Sequence, residues 1–198
     1  NVYMNLMDMG FNSTNVRFFS TWLAQNRHER LLKGFQTSLS FYSVIGLINA
    51  IVLLIVAFFS KEIFNVTIEQ DSILKHLFYI LAISAFCQWF SSCFDQIIKA
   101  TENVAWIQKR TLLTKILMIL VLGSTVWFDF SIELYFIFTC LAQLAIVPMS
   151  VGMIRRQIPY ISFMPKWDKQ SFREMLPYCM SIFSFSLFQF SFYNLRPV

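Results

Sequence analysis

Thr37 to Phe59 reads TSLSFYSVIGLINAIVLLIVAFF, more than twenty residues without a charge. At about 1.5 Å of rise per residue, this length crosses the roughly 30 Å hydrocarbon layer of a bilayer as a single helix. Arg27, Arg30 and Lys33 precede it, whereas Glu62, Glu69 and Asp71 follow it with only Lys61 against them. Short cytoplasmic loops retain Lys and Arg, so the asymmetry orients the helix with its beginning inside.

Working outward, the whole chain is 57% hydrophobic and only 14% charged, with 23 Phe. A water-soluble domain has about a quarter of its residues charged and could not hide this much apolar surface. The net charge of +5 does not indicate nucleic acid, because the basic residues lie in connectors with no aromatic-rich basic strand or recognition helix beside them. Cys87, Cys93, Cys140 and Cys179 stand singly in apolar runs, without the CxxC spacing of a zinc site, and read as small reduced side chains. Neither HExxH, a phosphate-cradling Gly-rich loop nor a nucleophile elbow occurs, so the sequence points away from an enzyme and calls for no cofactor.

Further apolar runs occupy residues 1–24, 73–98, 111–128, 132–151 and 176–198. The expected fold class is therefore an all-α polytopic membrane helix bundle with six crossings. Its expected connectors are a basic loop at 25–36, an acidic one at 60–72, a basic one at 99–110, a tight acidic turn at Asp129 to Ser131, and a basic segment at 155–175. In the last, Pro159 and Pro165 interrupt helix, and Ser171 with Glu174 reads as a capping box that starts the next one. Trp167 and Tyr160 suit the interfacial level, and Pro148 is placed to kink the 132–151 run. Apart from Lys61, the Lys and Arg of these connectors fall on one side, which makes 25–36, 99–110 and 155–175 cytoplasmic. Asn1 in place of an initiator Met, and an apolar run reaching almost to Arg196-Pro197-Val198, are what a piece of a longer chain would show.

Ionisable groups at membrane depth cost about 2.5 to 3.5 kcal/mol on insertion scales, so each needs a reason. Segment 1–24 carries Asp8, Asn15 and Arg17, too polar a set for a lipid-facing helix. Asp95 and Lys99 are one helical turn apart, on a face with Gln88, Ser91 and Ser92. Arg17 reads as a cavity residue whose planar fork suits phosphate, or else as a structural partner of Asp8. Asp95 and Lys99 read as cavity residues or as an intrahelical ion pair near a helix end.

Met7-Asp8-Met9-Gly10-Phe11 with Asn15-Val16-Arg17-Phe18, then a basic connector and Ser38-Leu39-Ser40-Phe41-Tyr42, resembles the second and third helices of Wzx-type polysaccharide flippases of the multidrug/oligosaccharidyl-lipid/polysaccharide exporter superfamily. Gln96-Ile97-Ile98-Lys99-Ala100-Thr101-Glu102 resembles that family's junction after its fourth helix, and Phe172 to Pro197 resembles the start of its seventh. The resemblance implies a transporter of twelve to fourteen helices in two lobes. Residues 1–154 would be the amino-terminal lobe, 155–175 the inter-lobe connector with an amphipathic segment, and 176–198 the first helix of the second lobe. It also implies flipping of undecaprenyl-pyrophosphate-linked oligosaccharide across the bacterial inner membrane for surface polysaccharide, in contact with membrane lipids and with polymerase and chain-length regulator proteins. Arg17 and Lys99 would then meet the pyrophosphate, while Asp8, Asn15, Asp95 and Gln88 would be polar cavity or ion-coupling positions. A cation-coupled multidrug antiporter of the same superfamily and a non-transporting membrane scaffold are the alternatives.

Overall fold

The computed structural model describes Asp8, Gly10 and residues 11–194, the side chains of Glu69, Tyr193 and Asn194 excepted. Among the described residues the regular elements are all helices, without a strand: α1 Phe11–Ala24, α2 His28–Phe58, α3 Ser60–Phe64, α4 Ile68–Ala100, α5 Val104–Trp127, α6 Ile132–Leu144, α7 Val147–Gln157 and α8 Lys169–Asn194. Five stretches among them are long and apolar enough to cross a membrane: His28–Phe58, Gln70–Ala100, Val104–Trp127, Ile132–Gln157 and Lys169–Phe192. The sixth expected crossing, 1–24, lies partly outside the described residues, and its described part is the 14-residue α1.

The helices overrun the apolar runs that announced them. The expected loop at 25–36 is helical from His28 onward, because Leu31, Phe35 and Leu39 recur at a helical spacing and bury completely while Glu29 and Lys33 stay exposed. The expected loop at 99–110 shrinks to Thr101–Asn103, with Glu102 at a φ of 62°. The acidic connector at 60–72 holds the short α3, and α4 begins within it at Ile68. The 132–151 run is two helices separated at Ala145 and Ile146, since Pro148 has no N–H to offer the Leu144 carbonyl. Finally, α8 starts at Lys169, earlier than expected, and its cap is Asp168 rather than Ser171. The Asp168 carboxylate accepts the Ser171 N–H at 2.8 Å, its carbonyl accepts the Phe172 N–H, and Glu174 turns instead to Arg30.

Two compact units are present. The first comprises residues 1–41, 92–103 and 154–198; the second comprises 42–91 and 104–153. In the first, Phe19, Trp22, Phe35 and Phe94 form a buried aromatic core, and α1 packs against α8. In the second, Gly46 admits the Phe86 backbone, Tyr42 stacks on Trp89, and α5 packs on α6. Its outward surface is apolar, with Val44, Leu47, Ile48, Ile119, Leu120 and Val126 more than half exposed. Such a surface suits a hydrocarbon environment.

Gly34 is fixed by contact: a Cβ there would overlap the buried Trp22 ring. Gly34→Ala should therefore cost about 1–3 kcal/mol. Gly123 on α5 has nothing within 4 Å of an added Cβ, so Gly123→Ala should be neutral or stabilising. Melting temperatures of the two detergent-solubilised variants check the contrast.

Candidate functional site

The polar residues of the first segment build a helix entrance before they build anything else. The Asp8 carboxylate accepts N–H groups from Gly10 at 3.0 Å and Asn12 at 3.2 Å, and its carbonyl accepts the Phe11 N–H at 2.9 Å. A carboxylate at this end of α1 is attracted by the positive end of the helix dipole. Gly10 follows at a φ of 76°, and a Cβ on it would press into Ile182 and the Cys179 carbonyl of α8. The Asp8-x-Gly10 spacing thus starts α1 and lets α8 approach it closely.

One turn further on, Asn15 joins three helices. Its amide donates to Gln96 Oε1 at 2.6 Å, and its oxygen accepts from the Ser38 hydroxyl at 2.8 Å. Gln96 in turn donates to Ser92 Oγ at 3.4 Å. Asn15, Ser38 and Gln96 have no exposure at all, so each unsatisfied group here would carry the full desolvation penalty. This network fixes the register of α1, α2 and α4 within the first unit.

Arg17 points elsewhere. It is exposed, and its guanidinium carbon lies 4.1 Å from the centre of the Tyr178 ring on α8. The ion pairs among the described residues are Arg30–Glu174, Lys33–Glu29, Lys75–Asp71 and His76–Glu133. Neither Arg17 with Asp8 nor Asp95 with Lys99 is among them. Lys99 lies close enough for its charge to act on the Asp8 carboxylate. Asp8, Asn15, Arg17, Asp95 and Lys99 all belong to the first unit, whereas Gln88 is an exposed residue of the second. Three participants were not selected from sequence: Ser38, Gln96 and Tyr178. Gln96 stood next to the more conspicuous Asp95, and a cation–ring contact between helices far apart in sequence leaves no periodic signal.

Residues 158–168, between α7 and α8, form a strap over the start of α2 within the same unit. Phe163 meets Phe35 and Phe94 edge-on, with centroids 6.0 and 5.7 Å away. The Lys166 N–H donates to the Gln36 carbonyl, and the Asp168 N–H donates to Thr37 Oγ1 at 3.1 Å. Tyr160 and His28 share a hydrogen bond of 2.6 Å. A shallow cavity of about 230 Å³ lies here, lined by Glu29, Arg30, Lys33, Asp168, Gln170 and Ser171. Hydrogen bonds from the Ser171 hydroxyl and N–H, aided by the charges of Lys33 and Arg30, hold the Asp168 carboxyl below its usual range.

Comparison with protein-family models, with curated proteins and with solved structures finds no match. The helices and their exposed apolar faces define the class: a multi-pass α-helical membrane protein.

Two outcomes follow from this geometry. In a double-mutant cycle, Asn15→Ala and Gln96→Ala should be strongly non-additive, with a coupling of about 0.5–3 kcal/mol in unfolding free energy. For Asp168 the folded-state pKa is depressed, so its contribution is present above the unfolded value near 4 and is lost as pH falls through the folded value. Melting temperature should accordingly drop less on acidification in Asp168→Asn than in the parent.

Proposed function

We propose that this chain is part of a Wzx-type flippase that carries undecaprenyl-pyrophosphate-linked oligosaccharide across the bacterial inner membrane by alternating access. In this reading the connectors at Gln25–Arg27, Thr101–Asn103 and 158–168 face the cytoplasm, and a second lobe completes the transporter. Polymerase and chain-length regulator proteins would receive the product on the far side.

The observation that supports the reading is the state of Arg17. A guanidinium braced by the face of Tyr178, and paired with no carboxylate among the described residues, keeps its charge and its planar set of donors for an incoming anion. Pyrophosphate is such an anion, and hydrocarbon must be kept from it during passage. Lys99 adds a second cation in the same unit. The competing reading, an organic-cation antiporter, needs a buried carboxylate held ready for a coupling ion. Asp8 suits that task poorly, because two N–H groups of the α1 entrance already occupy it.

The full-length protein carrying Arg17→Ala should fail to restore surface polysaccharide in its host strain lacking the parental gene, at unchanged protein level. Arg17→Lys should restore it only partly, since an ammonium lacks the fork. Full restoration by Arg17→Ala removes this residue from the mechanism. Export of organic cations driven by sodium or protons, and lost in Asp95→Asn, replaces the flippase reading with the antiporter.

A further inference from the structure

We infer that the segment from Arg155 to Arg173 is a docking surface for anionic phospholipid headgroups, built from exposed cations that outnumber its carboxylates and form no ion pair among the described residues. Residues 155–174 contain five cations, Arg155, Arg156, Lys166, Lys169 and Arg173, and two carboxylates, Asp168 and Glu174. Both carboxylates have partners: the half-buried Asp168 caps α8 through the Ser171 N–H, and the exposed Glu174 meets Arg30 of α2 at 2.5 Å. The five cations are exposed, and none forms an ion pair among the described residues. The surface therefore carries a net positive charge, with five unpaired cations against two carboxylates that already have partners.

Its apolar content points to a bilayer rather than to a soluble anion. Met164 is 76% exposed, Trp167 49% and Tyr160 41%. An exposed Trp and Tyr beside basic side chains is the chemistry of the headgroup level, where a ring sits partly in hydrocarbon and a cation meets phosphate. Chain connectivity places the segment at that level, because spans Ile132–Gln157 and Lys169–Phe192 bound it on both sides. The strap is also held in shape. Phe163 is wedged between Phe35 and Phe94, and the Arg155 guanidinium rests 5.5 Å from the Phe163 ring. The side chains that meet lipid are thus presented by an ordered backbone, which lowers the entropic cost of binding. This inference depends only on the chain being a membrane protein, so it stands or falls separately from the flippase reading.

Native mass spectrometry of the full-length protein in micelles doped with phosphatidylglycerol or phosphatidylcholine reads the preference directly. The parent should retain phosphatidylglycerol over phosphatidylcholine, and the preference should vanish at about 1 M salt, where the screening length shrinks to about 3 Å. Lys166→Gln and Arg156→Gln should each lower it about fivefold. Lys115→Gln, an exposed cation on α5, should leave it unchanged. Lys166 and Arg156 are exposed and single, so these variants keep the parental helical circular dichroism; if one does not, the salt dependence of the parent decides alone. Equal retention of the two lipids, a preference that survives high salt, or an equal loss in Lys115→Gln overturns the inference. Displacement of phosphatidylglycerol by millimolar inorganic phosphate overturns it too, because the surface would then be a site for free phosphate.

Discussion

Hydrocarbon offers a peptide group no partner, so every amide and carbonyl at membrane depth must be satisfied within the protein, and the helix does this without help from its neighbours. That constraint accounts for the absence of strands among the described residues and for the length of α2, α4 and α5. It also inverts the usual distribution of side chains. Val44, Ile119 and Val126 lie outside, and the side chains shielded most completely include Asn15, Ser38 and Gln96. With lipid tails as apolar as Leu, burial of aliphatic surface gives little preference for one helix partner over another. Directional contacts supply it: the amide of Asn15 reaching two other helices, the close approach at Gly10, the ring of Trp22 seated over Gly34.

The architecture was legible because charge-free length is a strong signal and needs no knowledge of neighbours. Thr37 to Phe59 sufficed to identify a spanning helix, and the structure keeps it as the apolar two thirds of α2. What failed was the assumption that charge ends a helix. Glu29 and Lys33 are one turn apart and bridge each other at 2.6 Å, so a polar stretch read as loop continues the helix on its wet side. The α8 cap was misplaced by three residues for a related reason. Ser171 and Glu174 have the spacing of a capping box, but Asp168 already holds the Ser171 N–H and Arg30 holds Glu174. A local motif lost to one neighbour in sequence and one far from it.

The candidate site was legible only in its outline. Polar density in the first segment drew attention to Asp8, Asn15 and Arg17, and all three are placed in one unit with Lys99. Their division of labour was not readable, because it depends on which way each side chain leaves the helix. Asn15 and Arg17 are two residues apart and thus on different faces, one wholly enclosed among amides and hydroxyls, the other against Tyr178. Gln88, which shares a helical face with Asp95 and Lys99 by spacing, is an exposed residue of the other unit, and Gln96 holds the position in the network.

Pro148 splits the last crossing before the strap into α6 and α7. A continuous helix resists flexing because any sharp bend must rupture hydrogen bonds of its ladder. Here one rung is missing from the outset, at the Leu144 carbonyl, while Ala145 and Ile146 at the junction still donate their N–H groups to the Leu141 and Gln143 carbonyls. The proline thus divides into two rods a crossing that would otherwise run as one.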